Sequence, residues 1–425
     1  MLLFVAADPH HGLGLKKFLQ NESGWTLLYP YPENTAPPSE KGFLPVPVPL
    51  GETVTTSYLL RHPEVQAFIQ KQLRITLVVF KNSQEIQEIV ASFPNVTLAS
   101  SSPLIAQHIE HKLHAIRLLE GLPTPPVMSL TLEEMDKAFK QWGEPLVVQN
   151  PRSHAGNGTS LLFRHSSVQE KSNRLLKVMP YWPGETYTLN ACVSPEEIWI
   201  SFPMKQLTGM AGLTPYSLGS CGNDIDLDED ETLKKHSLEM QQLTYWIAKK
   251  LQQKKYQGVF GVDFLIPFHQ PQPYILEINP RLTGNIGFTG LLGCDILLKH
   301  LQVFEWEPLF PVKSAKTISG GAQLVFRQLG SECVRPDCSS GIYRLRQGCF
   351  EWIASSWDVE GLREEEYLIL FRRQEELFRI QKNLPLRRWA SMNEIFRASQ
   401  AFLEKEVSRV TSTVEAPLGN VLLDQ

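Results

Sequence analysis

Gly258-Val-Phe-Gly-Val-Asp-Phe-Leu-Ile266 and Pro273-Tyr-Ile-Leu-Glu-Ile-Asn-Pro-Arg281, joined by the polar loop His269–Gln272, decide how the rest of the chain is read. Both runs alternate in the manner of strands, and the short polar connection makes them a hairpin. Glu277 and Asn279 stand two apart and so share one face, while Leu276 and Ile278 take the other. Asp263 lies in the partner strand between Val262 and Phe264. Two carboxylates and an amide oxygen in apolar strands are costly unless something pairs with them. Hard oxygen donors of this kind suit magnesium, which takes one or two carboxylates and completes its octahedron with phosphate oxygens and water. Arg281 follows directly and can reach an anion at the same mouth.

Upstream, the strand Pro145–Gln149 runs into Ser153-His-Ala-Gly-Asn-Gly-Thr-Ser160. Gly156 and Gly158 let backbone amides approach a phosphate closely, and Thr159 adds a hydroxyl donor. Around these motifs the chain divides into three parts. Residues 1–104 alternate strands and helices in a doubly wound pattern: strands at 2–7, 74–80 and 96–99, helices after His11 and over 65–72 and 84–92. Seven prolines between Tyr29 and Pro49 predict loop or extended chain there. Gly12-Leu-Gly14 lacks the third glycine of a dinucleotide fingerprint and reads as an ordinary strand-to-helix turn. Residues 105–315 begin in one helix running from Pro103 to Glu120, stopped by Gly121-Leu-Pro-Thr-Pro-Pro126. A helix over 132–142, a strand-dominated stretch and a long helix over 231–253 follow before the hairpin. Residues 316–425 read as a smaller mixed domain, with strands near 320–326, 341–346 and 367–371 and a helix near 392–409.

Bulk properties exclude several classes. With 425 residues, 42% hydrophobic and 20% charged, the chain is globular and long enough for two or three cores. A formal charge of −4 gives no global attraction to nucleic acid or to a membrane surface. The six cysteines, Cys192, Cys221, Cys294, Cys333, Cys338 and Cys349, show no CxxC or zinc-ligand spacing and read as reduced thiols. The amino terminus reads as a buried strand rather than a signal peptide, and no apolar run approaches the ~20 residues of a membrane span. A cytoplasmic protein is expected.

Taken together, residues 105–315 resemble the ATP-grasp superfamily. A helix with Lys112 precedes Gly121-Leu-Pro-Thr-Pro125; then come the strand into the glycine loop, Tyr181-Trp-Pro-Gly-Glu-Thr-Tyr-Thr188, and the hairpin. The resemblance implies two α+β subdomains clamping ATP behind a doubly wound amino-terminal domain, with a carboxy-terminal accessory module. It implies that Lys112 touches nucleotide phosphates, as do Gly156, Gly158 and Thr159 of the loop. Lys177, Val178 and Met179 match the hinge whose backbone meets adenine, and Glu185 the acid on the ribose. Asp263, Glu277 and Asn279 match the ligands of magnesium (or manganese), Arg281 the residue at the γ-phosphate, and Lys205 a contact to phosphate or substrate. The implied reaction is the joining of a small-molecule carboxylate to an amine through an acyl phosphate, with release of ADP. Thiol or bicarbonate-type substrates, and a non-catalytic nucleotide-binding protein, are the alternatives. A homodimer is expected by analogy. One position departs from the pattern: Gln149 stands where a phosphate-binding lysine is usual, so a cationic contact is missing unless Arg152 or His154 supplies it.

Overall fold

The computed structural model describes residues 1–6, 25–32, 42–49, 54–153, 158–164, 173–209, 218–224, 230–286, 289 and 294–306, together with the backbone of four strands between 322 and 372. The amino-terminal part comprises β1 (Leu2–Val5), β2 (Trp25–Pro32), β3 (Phe43–Val48), α1 (Thr56–Arg61), α2 (Pro63–Gln70), β4 (Ile75–Val79), α3 (Gln84–Ala91) and β5 (Val96–Leu98). Its five strands are all parallel, in the order β3-β2-β1-β4-β5, so the winding reverses between β1 and β4. Val5 and Val79 are buried, as expected of parallel strands covered on both faces.

The proline-rich stretch is not merely extended chain: it supplies much of β2 and all of β3. Pro45 and Pro47 are two apart on the edge strand, so their missing N–H groups fall on the same side. Pro30 and Pro32 lie beyond Leu27, the last β2 residue that pairs with β1. Prolines at these positions cost the ladder no hydrogen bond.

The single helix expected from Pro103 to Glu120 is in fact two, α4 (Pro103–Glu110) and α5 (Lys112–Leu118). His111 between them has φ −69° and ψ 106°, an extended conformation. The Lys112 N–H bonds instead to Pro151 O at 3.0 Å. Periodicity could not reveal a break caused by an acceptor some forty residues away.

A small antiparallel sheet follows, with β6 (Met128–Leu130), α6 (Met135–Trp142), β7 (Leu146–Gln149), β8 (Thr159–Leu162) and β9 (Leu176–Pro180), in the order β6-β9-β7-β8. Thr131 and Glu134 form a capping box at the turn into α6. The large sheet is built from β10 (Gly184–Val193), β11 (Ile198–Ile200), β12 (Met204–Thr208), β13 (Ser220–Asp224), β14 (Gly258–Pro267) and β15 (Tyr274–Asn279). The helix α7 (Glu231–Gln253), capped by Asp230, packs Leu233, Met240, Ile247 and Leu251 against Tyr187, Leu189, Phe260 and Phe264.

On the other side of the sheet lies α8 (Ile296–Val303), where Ile296, Leu297 and Leu301 join Leu2, Phe4, Val78, Cys192 and Val259 in one core. His300 of α8 is buried between three elements. Its Nδ1 accepts from Val259 N at 3.2 Å, so the neutral ring carries its proton on Nε2 and donates to Ala99 O at 3.0 Å. The carboxy-terminal strands β16 (Ala322–Phe326), β17 (Ser340–Arg346), β18 (Cys349–Ala354) and β19 (Leu368–Arg372) continue the same sheet through the β13–β16 pairing. Sequence reading did not anticipate β18, and the helix expected near 392–409 lies outside the described residues. Among the described residues no helix is long and apolar enough to cross a membrane.

Candidate nucleotide site

The hairpin register brings the two acidic residues together. Asp263 lies directly opposite Glu277 across β14–β15, and Thr188 of β10 lies opposite Asp263 on the other side. One sheet face therefore presents Thr188, Asp263 and Glu277 in a row. Burial and the neighbouring Glu277 raise Asp263 to about 7. Burial acts on Glu277 in the same sense, but the Lys112 ammonium outweighs it and takes Glu277 down to about 2. The pair thus carries less than its full two negative charges at neutral pH. Asn279 Nδ2 donates to Asp263 Oδ2 at 3.0 Å, so the amide turns its nitrogen, not its oxygen, toward the carboxylates.

Three cations surround this pair. Lys112 Nζ lies 2.9 Å from Glu277 Oε2 and donates to Ser153 O at 2.9 Å. The helix break at His111 sets up this geometry, because it aims the first residue of α5 at both the hairpin and the root of the glycine loop. Lys177 is buried and donates from Nζ to Leu276 O at 2.7 Å, crossing from the small sheet to the large one. Burial lowers its ammonium to about 8, opposed by Glu277 and reinforced by Lys112, so it stays largely protonated at neutral pH. Arg281 donates to Asn279 Oδ1 at 3.1 Å and to Leu282 O at 3.0 Å, and its Nε lies 3.5 Å from Glu110 Oε1. The guanidinium sits 5.4 Å from the centroid of Phe80, just past the end of β4 where the parallel sheet reverses its winding.

Between the sheets, Glu277, Lys112 and Lys177 line a cleft of about 510 Å³, part of it open solvent. Lys112, Lys177, Glu277 and Asn279 form its polar wall, and Ala115, Leu119, Pro125, Val127 and Leu276 its apolar one. An apolar slot ending in paired charges is the usual form of a small-molecule site.

The remaining sequence-predicted residues are distributed around this centre. Val178 points into the small-sheet core with Leu146 and Val148, while Met179 is buried on the opposite side of β9. Gly158 has φ +77°, and a Cβ there would stand 2.8 Å from Asn150 Nδ2, so only glycine fits. Thr159 faces Gln149, whose Nε2 lies 3.3 Å from the threonine hydroxyl. Gly156 and His154 lie outside the described residues.

Glu185 and Lys205 are not brought to the carboxylate pair. Tyr187 faces Lys205 and Phe264 in register, whereas Thr188 faces Asp263, which puts Lys205 on the opposite face of the sheet. There Lys205 bonds Glu185 at 2.7 Å and approaches Asp230 at 3.4 Å, and the Tyr187 hydroxyl bridges the two acids. Sequence reasoning missed Thr188, Glu110, Phe80 and Asp230. The strand register reveals Thr188, the capping of α7 reveals Asp230, and the contacts of Arg281 reveal Glu110 and Phe80.

The donor set fits a magnesium ion of the kind that relies on a substrate for most of its ligands. It offers two facing carboxylates and one amide that can turn its oxygen inward. Among the described residues no cluster of three or more acidic, histidine or cysteine side chains forms a self-sufficient metal cage.

Residues 109–285 match the family model of the ATP-grasp domain. That segment is an ATP-grasp domain. Solved structures share the fold beyond it. The biotin carboxylase of Campylobacter jejuni in complex with β,γ-ATP aligns over 74% of this chain and 72% of its own, at 16% identity and a TM-score of 0.55. The carboxyaminoimidazole ribonucleotide synthase of Aspergillus clavatus, complexed with ATP, aligns over 96% of this chain and 98% of its own, at 13% identity and a TM-score of 0.53. The biotin carboxylase domain of the Hydrogenobacter thermophilus 2-oxoglutarate carboxylase, with MgADP and bicarbonate, aligns over 72% and 70%, at 12% and 0.54. No curated protein matches the chain significantly by sequence.

Proposed function

We propose that the protein is a ligase that uses ATP and magnesium to activate a substrate carboxylate and joins it to an amine. The observation that carries this reading is the Asp263–Glu277 pair, bracketed by Lys112, Lys177 and Arg281 in the cleft of an ATP-grasp domain. The ATP-bound and MgADP-bound neighbours support the nucleotide and the metal.

The adenine occupies the apolar part of the cleft beside β9, and the phosphates run toward the carboxylate pair. Asp263, Glu277 and a turned Asn279 would hold magnesium, which when bound would supply charge neutralisation at the phosphates. Lys112 adds positive charge at the phosphates while staying anchored through Ser153 O. A substrate carboxylate attacks the γ-phosphorus; the bond from that phosphorus to the bridging oxygen breaks, and ADP leaves. Arg281, held in place by Glu110, Asn279 and Leu282 O, neutralises the transferred group and then the acyl phosphate. The amine attacks the acyl carbon, phosphate departs, and the amine proton passes to solvent. The chain contributes positioning and charge, and no protein nucleophile is needed.

A second reading takes bicarbonate as the carboxyl source. The bicarbonate in the Hydrogenobacter structure supports it. One experiment addresses both. The full chain is incubated with ATP, magnesium and pooled carboxylates and amines, with and without labelled bicarbonate, and products are read by mass spectrometry beside Glu277→Gln. ADP with a condensed product, absent in the variant, supports the ligase; label in the product selects bicarbonate. AMP with pyrophosphate would refute acyl-phosphate chemistry.

A further inference from the structure

Gln149 removes a positive charge from the strand that leads into the glycine loop, and the sequence suggested Arg152 or His154 as its replacement. The structure offers a different residue. In the β7–β9 ladder, Gln149 pairs directly with Lys177. Directly opposed residues on antiparallel strands project from the same face with Cβ atoms about 5 Å apart. A lysine on β9 therefore serves the space that a lysine on β7 would serve.

Several observations agree. Lys177 lines the cleft together with Lys112, Glu277 and Asn279, whereas Gln149 does not. The Gln149 amide is engaged by Thr159 at 3.3 Å, and Arg152 is exposed. Lys177 is only 4% exposed, and its ammonium bonds a main-chain carbonyl, Leu276 O, which a neutral donor could equally satisfy. Burying the Lys177 ammonium costs free energy in the free protein, and Glu277 offsets only part of that cost. An anionic ligand placed between Lys112 and Lys177 turns that cost into binding.

Resting on the proposed function, we infer that Lys177 is the residue whose side chain supplies the cationic phosphate contact that Gln149 lacks: the charge has moved across one strand of the sheet. Val178 and Met179 retain the backbone role at adenine, so β9 serves both ends of the nucleotide.

The test uses the full chain and calorimetric titration with ADP plus magnesium, and separately with adenosine. Lys177→Gln is expected to weaken ADP roughly tenfold or more and adenosine less than about twofold, because only ADP carries the phosphates. Lys177→Arg should stay within about threefold of wild type for ADP, since it keeps the charge. The exchanged pair, Gln149→Lys with Lys177→Gln, should regain most of the ADP affinity; it also answers the question if Lys177→Gln alone does not fold. Equal loss of ADP and adenosine would reduce Lys177 to a structural residue and overturn the inference. So would unchanged ADP binding in Lys177→Gln, or an exchanged pair that folds and does not recover. If wild type binds neither ligand, the proposed function fails and takes this inference with it. Wild-type binding with an indifferent Lys177 refutes the inference alone.

Discussion

Acid should weaken this protein through His300, and the size of the effect follows from its setting. The ring is fully enclosed; Nδ1 is committed to accepting from Val259 N–H and Nε2 to donating to Ala99 O. A second proton on Nδ1 would face an N–H group, and burial already penalises the charged form. Burial holds the folded-state value down to about 4, against an ordinary histidine value of 6.5. The unfolded chain therefore takes up a proton below pH 6.5 that the folded chain refuses until about pH 4. The stabilising contribution is complete above pH 6.5 and is lost as pH falls through that window. At pH 5 the difference is about 2 kcal/mol relative to pH 7.5. The nearby Asp295, raised to about 6 by burial, works in the opposite sense, so the total pH dependence mixes the two. The comparison with His300→Gln isolates the histidine. Urea unfolding at pH 7.5 and 5.0 should show wild type losing about 2 kcal/mol more than the variant between the two conditions. Parallel losses in both proteins would refute the argument.

Three further outcomes follow from the same geometry. Lys205→Met leaves Glu185 and Asp230 buried beside each other without a cation, and should cost about 3–5 kcal/mol in urea unfolding. Because Lys205 lies behind the sheet, the folded variant should titrate with magnesium and ADP as wild type does. Gly258→Ala forces a side chain onto φ +95° and places its Cβ 2.8 Å from His300 Nδ1; a loss of about 2–4 kcal/mol is expected by thermal or chemical melting. Arg281→Lys cannot reproduce the fork that meets Asn279, Leu282 O and Glu110 together. Turnover of ATP should fall roughly a hundredfold while the dissociation constant for ADP stays near wild type.

Much of the site was legible in sequence because local periodicity encodes it. Asp263, Glu277 and Asn279 lie on two strands joined by a short loop, with Arg281 just past the second, so alternation assigns the first three to a face and pairing does the rest. The doubly wound pattern was legible for a similar reason, since buried parallel strands are continuous apolar runs. The features that sequence did not show share a different cause. The break at His111 depends on Pro151 O, the face of Lys205 on the register of β10 with β12, and the strand character of the prolines on edge placement. Each is set by a partner distant in sequence, which no window of residues contains. Gln149 looked like a lost charge only because its cross-strand neighbour was unknown.

The glycine loop is held at both ends before any ligand arrives. On one side Lys112 grips Pro151 O through its amide and Ser153 O through its ammonium; on the other, Asn150 N bonds Gly158 O at 2.8 Å, and Gln149 pairs with Thr159. Both roots of the loop, Ser153 and Gly158, are therefore fixed by residues that belong to other elements. A change in the number of residues between these two roots should leave the pairing of β7 with β8 and the aim of Lys112 as they are. Loop length thus becomes a quantity that can be varied independently of the residues that anchor it.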